Sequence, residues 1–279
     1  MAPISRAVVP LDVQVRAVRN EKLGFLASMS DTVLRAAGKG ADFLWAIYAW
    51  AVFGIGVFTA LLAALLLPGK ERRRRWVSAA GRAILATAGI KAAIRGLEKI
   101  PASQCIVVAN HASYLDGVIL NAFLPPRFGF VIKGEMGRIP VVGFLLRRIG
   151  SEFVERFDVS GSVRDARRLL KVADAGESLA FFPEGTFLHK PGLDRFRAGA
   201  FAVAINSNLP VVPIVIFGSR NILPAKTLTP RHGHLRLEVL NPIEPTDPAF
   251  ENSKDLAELA RQRILGVLDE PDLLAETAI

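Results

Sequence analysis

The sequence predicts an α/β fold, a largely parallel sheet flanked by helices, preceded by an N-terminal membrane helix or helical hairpin. Three observations carry this. Phe43 to Leu67 is an apolar run of 25 residues without a charge. Beyond Gly96, short apolar runs alternate with helix-period segments and turn residues, the pattern of a parallel sheet with helical crossovers. The length of 279 residues suits one sizeable core with an appendage. The expected division is 1–42 as a partly helical N-terminal extension, 43–95 as a membrane-anchoring helix or two-helix motif with a basic stretch, and 96–279 as the α/β domain.

Composition narrows the partners. Lys and Arg number 35 against 26 Asp and Glu, a net charge of +9, and 51% of residues are apolar. A basic, apolar-rich chain fits an anionic membrane surface. Nucleic acid is set aside, because it would leave the apolar run unexplained and no reading element is recognisable. The single cysteine, Cys105, excludes an intramolecular disulfide framework and a cysteine zinc cluster, and it sits inside an apolar strand as a small core residue.

Taken in order, the first twenty or so residues show no steady period and read as poorly ordered, and they do not resemble a secretory signal. A short helix is expected over 23–38, with Asp31 as a cap. As a helix, Phe43 to Leu67 would run roughly 37 Å, enough to cross a hydrocarbon core of about 30 Å. Trp45, Tyr48 and Trp50 cluster near its start, as an interfacial belt would. Pro68-Gly69 closes it, and Lys70-Glu71-Arg72-Arg73-Arg74-Arg75 follows, placing that end on the cytoplasmic face by the positive-inside rule. Trp76 to Ile94 is a second helix candidate, and Gly54 and Gly56 permit a bend, so a hairpin within one leaflet competes with a spanning helix.

Strands are then expected over 104–109, 128–132, 152–154, 178–182, 211–217 and 235–240. Helices are expected over 116–124, 141–149, 163–175, 198–206 and 255–268. Ligands of such sheets gather at the carboxyl ends of the strands.

Two motifs fall at such ends. Asn110-His111-Ala112-Ser113-Tyr114-Leu115-Asp116 follows the apolar run Cys105 to Ala109. His111 and Asp116 would lie about 140° apart on one continuous helix, so they meet only if His111 occupies the strand-to-helix turn. A carboxylate on one imidazole nitrogen would make His111 a general base. Ser113 lacks the G-x-S-x-G context of a nucleophile. Alone, a His and Asp at this spacing are more often structural or coincidental than catalytic. The second motif is Phe181-Phe182-Pro183-Glu184-Gly185-Thr186-Phe187, in which Glu184 is either a turn carboxylate or an acceptor for a substrate hydroxyl.

These two motifs, in this order and about seventy residues apart, resemble those of the glycerolipid acyltransferase family, whose bacterial type member makes phosphatidic acid from 1-acylglycerol-3-phosphate. Two further blocks agree, Gly150 to Arg156 and Leu209 to Ile214. The resemblance implies acyl transfer without a covalent enzyme intermediate, cofactor or metal. His111 would deprotonate the lysophospholipid hydroxyl and Asp116 would orient it, with acyl-CoA or acyl carrier protein as donor. Asn110, Glu184, Gly185 and Thr186 would hold the acceptor, and Arg156 the phosphate. Phe187 stands where the family usually has an arginine. Lys133, Arg195 or Arg197 would then supply the missing cation, or the acceptor headgroup differs, as in a lyso-ornithine lipid. The implied location is a bacterial-type inner membrane, with the acyltransferase domain on the cytoplasmic face.

His189, His232 and His234 lie in loop-like stretches, and no set of His and carboxylates has metal-ligand spacing.

Overall fold

A computed structural model of the chain describes residues 40–155, 159–227 and 229–276. The expected irregular start and the short helix over 23–38 lie outside the described residues. The chain divides into two compact units, Met1–Ile47 and Tyr48–Ile279. The described part of the first, residues 40–47, is the opening of helix α1 (Gly40–Leu66).

In the second unit the described residues form one seven-stranded sheet. Its strands are β1 (Lys91–Arg95), β2 (Ile106–Ala109), β3 (Phe128–Lys133), β4 (Glu152–Val154), β5 (Ser178–Phe181), β6 (Val211–Phe217) and β7 (His234–Val239). Their spatial order is β1-β7-β6-β2-β5-β3-β4. Only β6 and β7 pair antiparallel, so the expected largely parallel sheet is what forms.

Central strand β2 shows why the sheet is buried on both faces. Helices α4 (Gly134–Arg138) and α5 (Pro140–Arg148) connect β3 to β4, and Ile106 and Val108 point into a core with Leu169, Phe201, Leu256 and Ile264, from helices α6 (Val159–Asp174), α7 (Gly199–Asn206) and α9 (Ser253–Leu265). Val107 and Ala109 point the other way, into a core with Leu85, Ile119 and Leu120 from α2 (Lys70–Thr87) and α3 (Leu115–Phe123). A strand covered on both sides reads as a continuous apolar run. Burial pushes the Cys105 thiol up to about 11, which leaves it protonated and inert at neutral pH.

The stretch expected as a second membrane helix, Trp76 to Ile94, is two elements. Helix α2 starts earlier, inside the basic run, and stops at Thr87, after which Gly89 turns at φ +69° and Ile90 N donates to Leu85 O at 2.9 Å. Lys91-Ala92-Ala93-Ile94-Arg95 then alternates exposed and half-buried positions as an edge strand. The sheet therefore begins before the boundary expected at residue 96.

Helix α2 packs on α3 where Gly81 allows close approach, a Cβ there lying 3.2 Å from that of Ala122. Arg74, expected at a membrane surface, is buried instead. It donates to the carbonyls of Arg127, Ile149 and Gly150 and pairs with Glu177 at 2.8 Å. Arg148 reaches Ala64 O of α1 at 2.8 Å, and Tyr48 of α1 donates to Thr87 O at 2.9 Å.

Candidate active site

Neighbouring strands bring the two motifs together. β2 pairs with β5 in the register Val108 to Phe181, so the turns that leave these strands lie side by side. His111 sits in the first turn and Glu184 in the second, and the His111 N–H donates to Glu184 Oε1 at 2.7 Å.

The His111 turn is closed by Asp116, in the first turn of α3. Asp116 Oδ2 accepts from Ala112 N at 2.6 Å and Ser113 N at 2.8 Å, and lies 2.9 Å from His111 Nδ1. The carboxylate is fully buried at the positive end of the helix, a place that favours its charge. This arrangement fixes Nδ1 as the protonated nitrogen and leaves Nε2 as the acceptor, without a protein partner among the described residues. The imidazole stacks on Phe182, with centroids 4.2 Å apart, and meets Phe187 edge-on at 4.6 Å. Tyr114 packs edge-on against Phe187 at 4.7 Å.

Glu184 ties both turns to a third segment. Its other oxygen accepts from Asp194 N at 3.1 Å, and Pro183 O accepts from Arg197 N at 2.9 Å. Burial pushes its carboxyl up to about 8; the two N–H bonds oppose this, and the Asp194 and Asp116 carboxylates add to it. Gly185 turns the chain at φ +83°, a conformation that side chains rarely adopt.

The remaining described candidates contribute in different ways. Asn110 is buried, and its amide exchanges two bonds with Ile216, at 3.0 and 2.8 Å, prolonging the β2 to β6 ladder. Its polar atoms thereby position the motif rather than face a ligand. Lys133 ends β3 and pairs with Glu135 at 2.6 Å. Thr186 and the side chains of Arg195 and Arg197 are exposed. Arg156 lies outside the described residues.

Two arginines that the sequence did not single out hold the segment after Gly185. Arg220, in the short helix α8 (Ser219–Ile222), pairs with Glu270 at 3.0 Å and donates to Leu188 O at 2.6 Å. Arg261, 1% exposed on α9, donates to Leu193 O and Asp194 O and pairs with Asp272. A charge on an otherwise apolar face with Leu256, Ala257, Ala260 and Ile264 was the one signal of the second.

Comparison with known proteins shows what the chain is similar to. Residues 91–217 match the Acyltransferase family model. A chloroplastic 1-acyl-sn-glycerol-3-phosphate acyltransferase of Brassica napus is 35% identical over 156 residues, which are 55% of this chain and 45% of that protein. The 1-acyl-sn-glycerol-3-phosphate acyltransferase of Pseudomonas aeruginosa is 30% identical over 154 residues, 53% of this chain and 60% of its own. The chain thus spans about half the length of the curated relatives it matches. In fold it resembles the crystal structure of the 1-acyl-sn-glycerophosphate acyltransferase PlsC from Thermotoga maritima. The TM-score is 0.69 at 23% identity, over 82% of this chain and 95% of that one.

Proposed function

From the match of residues 91–217 to the Acyltransferase family model, we propose that the chain transfers a fatty acyl group from acyl-CoA or acyl carrier protein to the free hydroxyl of 1-acylglycerol-3-phosphate, forming phosphatidic acid. The observation that carries this reading is His111, oriented by a buried Asp116 through Nδ1, with Nε2 free of a protein hydrogen-bond partner among the described residues and 17% of the side chain exposed. Nε2 takes the hydroxyl proton as the oxygen attacks the thioester carbonyl. The tetrahedral intermediate collapses with cleavage of the C–S bond, and the imidazolium returns the proton to the thiolate. Asp116 stabilises the imidazolium in between. Atoms and electrons balance without a cofactor.

The test is to give the purified protein lysophosphatidic acid and an acyl thioester, and to follow free thiol and diacyl product together. Equal amounts of both are expected, and His111→Ala lowers both by roughly 10² to 10⁴. Thiol release without diacyl lipid would indicate a hydrolase. Full activity of His111→Ala would remove the base assignment.

A second reading changes only the acceptor. Phe187, in contact with His111, puts an uncharged ring where the resemblance led us to expect a cation. This favours an acceptor such as a lyso-ornithine lipid or another lysophospholipid. On that reading Phe187→Arg shifts the acceptor profile toward phosphate-bearing lysolipids, measured by lipid mass analysis of a mixed-acceptor reaction.

The reaction would take place at a bilayer surface, on the cytoplasmic face of a bacterial-type inner membrane. Ile55, Phe58, Leu65 and Leu66 of α1 are 59–76% exposed, and Leu62 is 40% exposed. A face of that kind suits the acyl boundary of one leaflet.

A further inference from the structure

Any site that activates a hydroxyl beside a thioester can also activate water, which is far more abundant than a lysolipid. A side chain must therefore keep water from the base. Around His111 that shielding is aromatic and comes from three places in the chain. Phe182, leaving β5, covers one ring face in a stack with an interplanar angle of 17°. Phe187 stands across the imidazole at 70°. Tyr114, 60% exposed at the entrance to α3, braces Phe187 from outside at 88°. The His111 side chain retains 17% exposure.

We propose that Phe187, held by Tyr114, is a positioning residue that keeps water from His111 and so sets the partition between acyl transfer and thioester hydrolysis. This rests on the acyltransferase reading above. In the competing reaction, water gives its proton to Nε2 and its oxygen attacks the thioester carbonyl. The C–S bond breaks, and free fatty acid and thiol leave. Phe182 cannot supply the shield alone, because it covers a single face of the ring. Phe187 is two residues past Gly185 and packs on His111 and Tyr114, so its truncation would open a path to the imidazole without touching the Asp116 bonds.

The experiment compares wild type, Phe187→Ala, Phe187→Leu and Tyr114→Ala on one lysolipid and one thioester, recording thiol and diacyl lipid separately. Wild type is expected to give a ratio of about one, as the balanced reaction requires. Phe187→Ala is expected to raise the ratio severalfold, Tyr114→Ala to raise it less, and Phe187→Leu to restore much of the coupling. A ratio that stays at the wild-type value while the rate falls would overturn the proposal, since lost packing alone slows both products equally. A second readout needs no turnover: diethylpyrocarbonate modification of His111, located by peptide mass, is expected to be severalfold faster in Phe187→Ala. Unchanged modification would also overturn it. If His111→Ala leaves both products intact, the base assignment fails, whereas a shielding failure leaves His111→Ala inactive and the ratio at one.

Discussion

One oxygen, Oδ2 of Asp116, meets three nitrogen groups, and this decides what an amide in its place would do. Asn keeps an acceptor for the Ala112 and Ser113 N–H groups but loses the charge that, in the proposed reaction, would stabilise an imidazolium, and charge-assisted bonds are about twice as strong as neutral ones. Asp116→Asn is expected to lower kcat by roughly 10² to 10⁴ with KM for the acceptor little changed, read by steady-state kinetics. Glu184 makes a different case. Its carboxyl is pushed up to about 8, first by burial, from the 4.5 of a free carboxyl. In the unfolded chain it therefore loses its proton earlier than in the fold. Its contribution to stability is fully present below about pH 4.5 and is lost as pH rises through about 8. Glu184→Gln removes that titration, so unfolding free energies at about pH 6 and about pH 9 should differ less in the variant than in wild type. The amide also leaves one of the two N–H groups, of His111 or Asp194, facing an NH₂, which costs about 1–3 kcal/mol. A variant that keeps the wild-type pH slope would show that Glu184 is not the group responsible.

At the scale of elements, what the sequence revealed divides by distance along the chain. His111 and Asp116 are five residues apart, and their meeting required only the strand-to-helix turn that the apolar run before His111 already implied. Glu184 lies 73 residues on, but it too ended an apolar run, and parallel pairing of β2 with β5 did the rest. Strand β1 was hidden because Lys91 to Arg95 is short, lies at an edge and follows a helix without a proline, so its alternation was lost in a longer helical period. The two arginine clamps were hidden because their partners are set by tertiary packing. Glu270 and Asp272, beyond the end of α9, meet Arg220 and Arg261 only once the sheet is assembled. Arg261→Met is accordingly expected to remove the guanidinium bonds to Asp272 and to the Leu193 and Asp194 carbonyls and to destabilise the fold by about 1–3 kcal/mol. Urea unfolding reads the loss, and limited proteolysis should cut first within residues 185–195. Even cleavage across the chain would place the clamp's effect elsewhere.

For the whole molecule, the decisive question is whether α1 crosses the bilayer or lies along it. By length it could do either, since 27 residues reach about 40 Å. Its contacts favour the second. Tyr48 bonds to Thr87, Gly56 faces Ile84, and the Ala64 carbonyl accepts from Arg148, so the helix follows the flank of the α/β domain for about 24 Å. Crossing would carry α2 into hydrocarbon together with Arg72, Arg75 and Arg82, at a penalty of roughly 2.5–3.5 kcal/mol or more for each charge near the centre. Lying in the interface leaves those charges among headgroups and buries only the outer stripe. Both ends of α1 should then face the same compartment. Cys105 makes this measurable, because its buried, strongly protonated thiol leaves introduced cysteines as the reactive ones. In sealed inverted membrane vesicles, Asp42→Cys and Arg72→Cys are both expected to react with an impermeant maleimide. Reaction of Asp42→Cys only after permeabilisation would establish a spanning helix. The exposed apolar stripe has its own test, since Ile55→Glu with Phe58→Glu should lower cosedimentation with vesicles while turnover of detergent-dispersed substrate persists. Loss of both together would mean that the stripe supports the fold rather than the membrane contact.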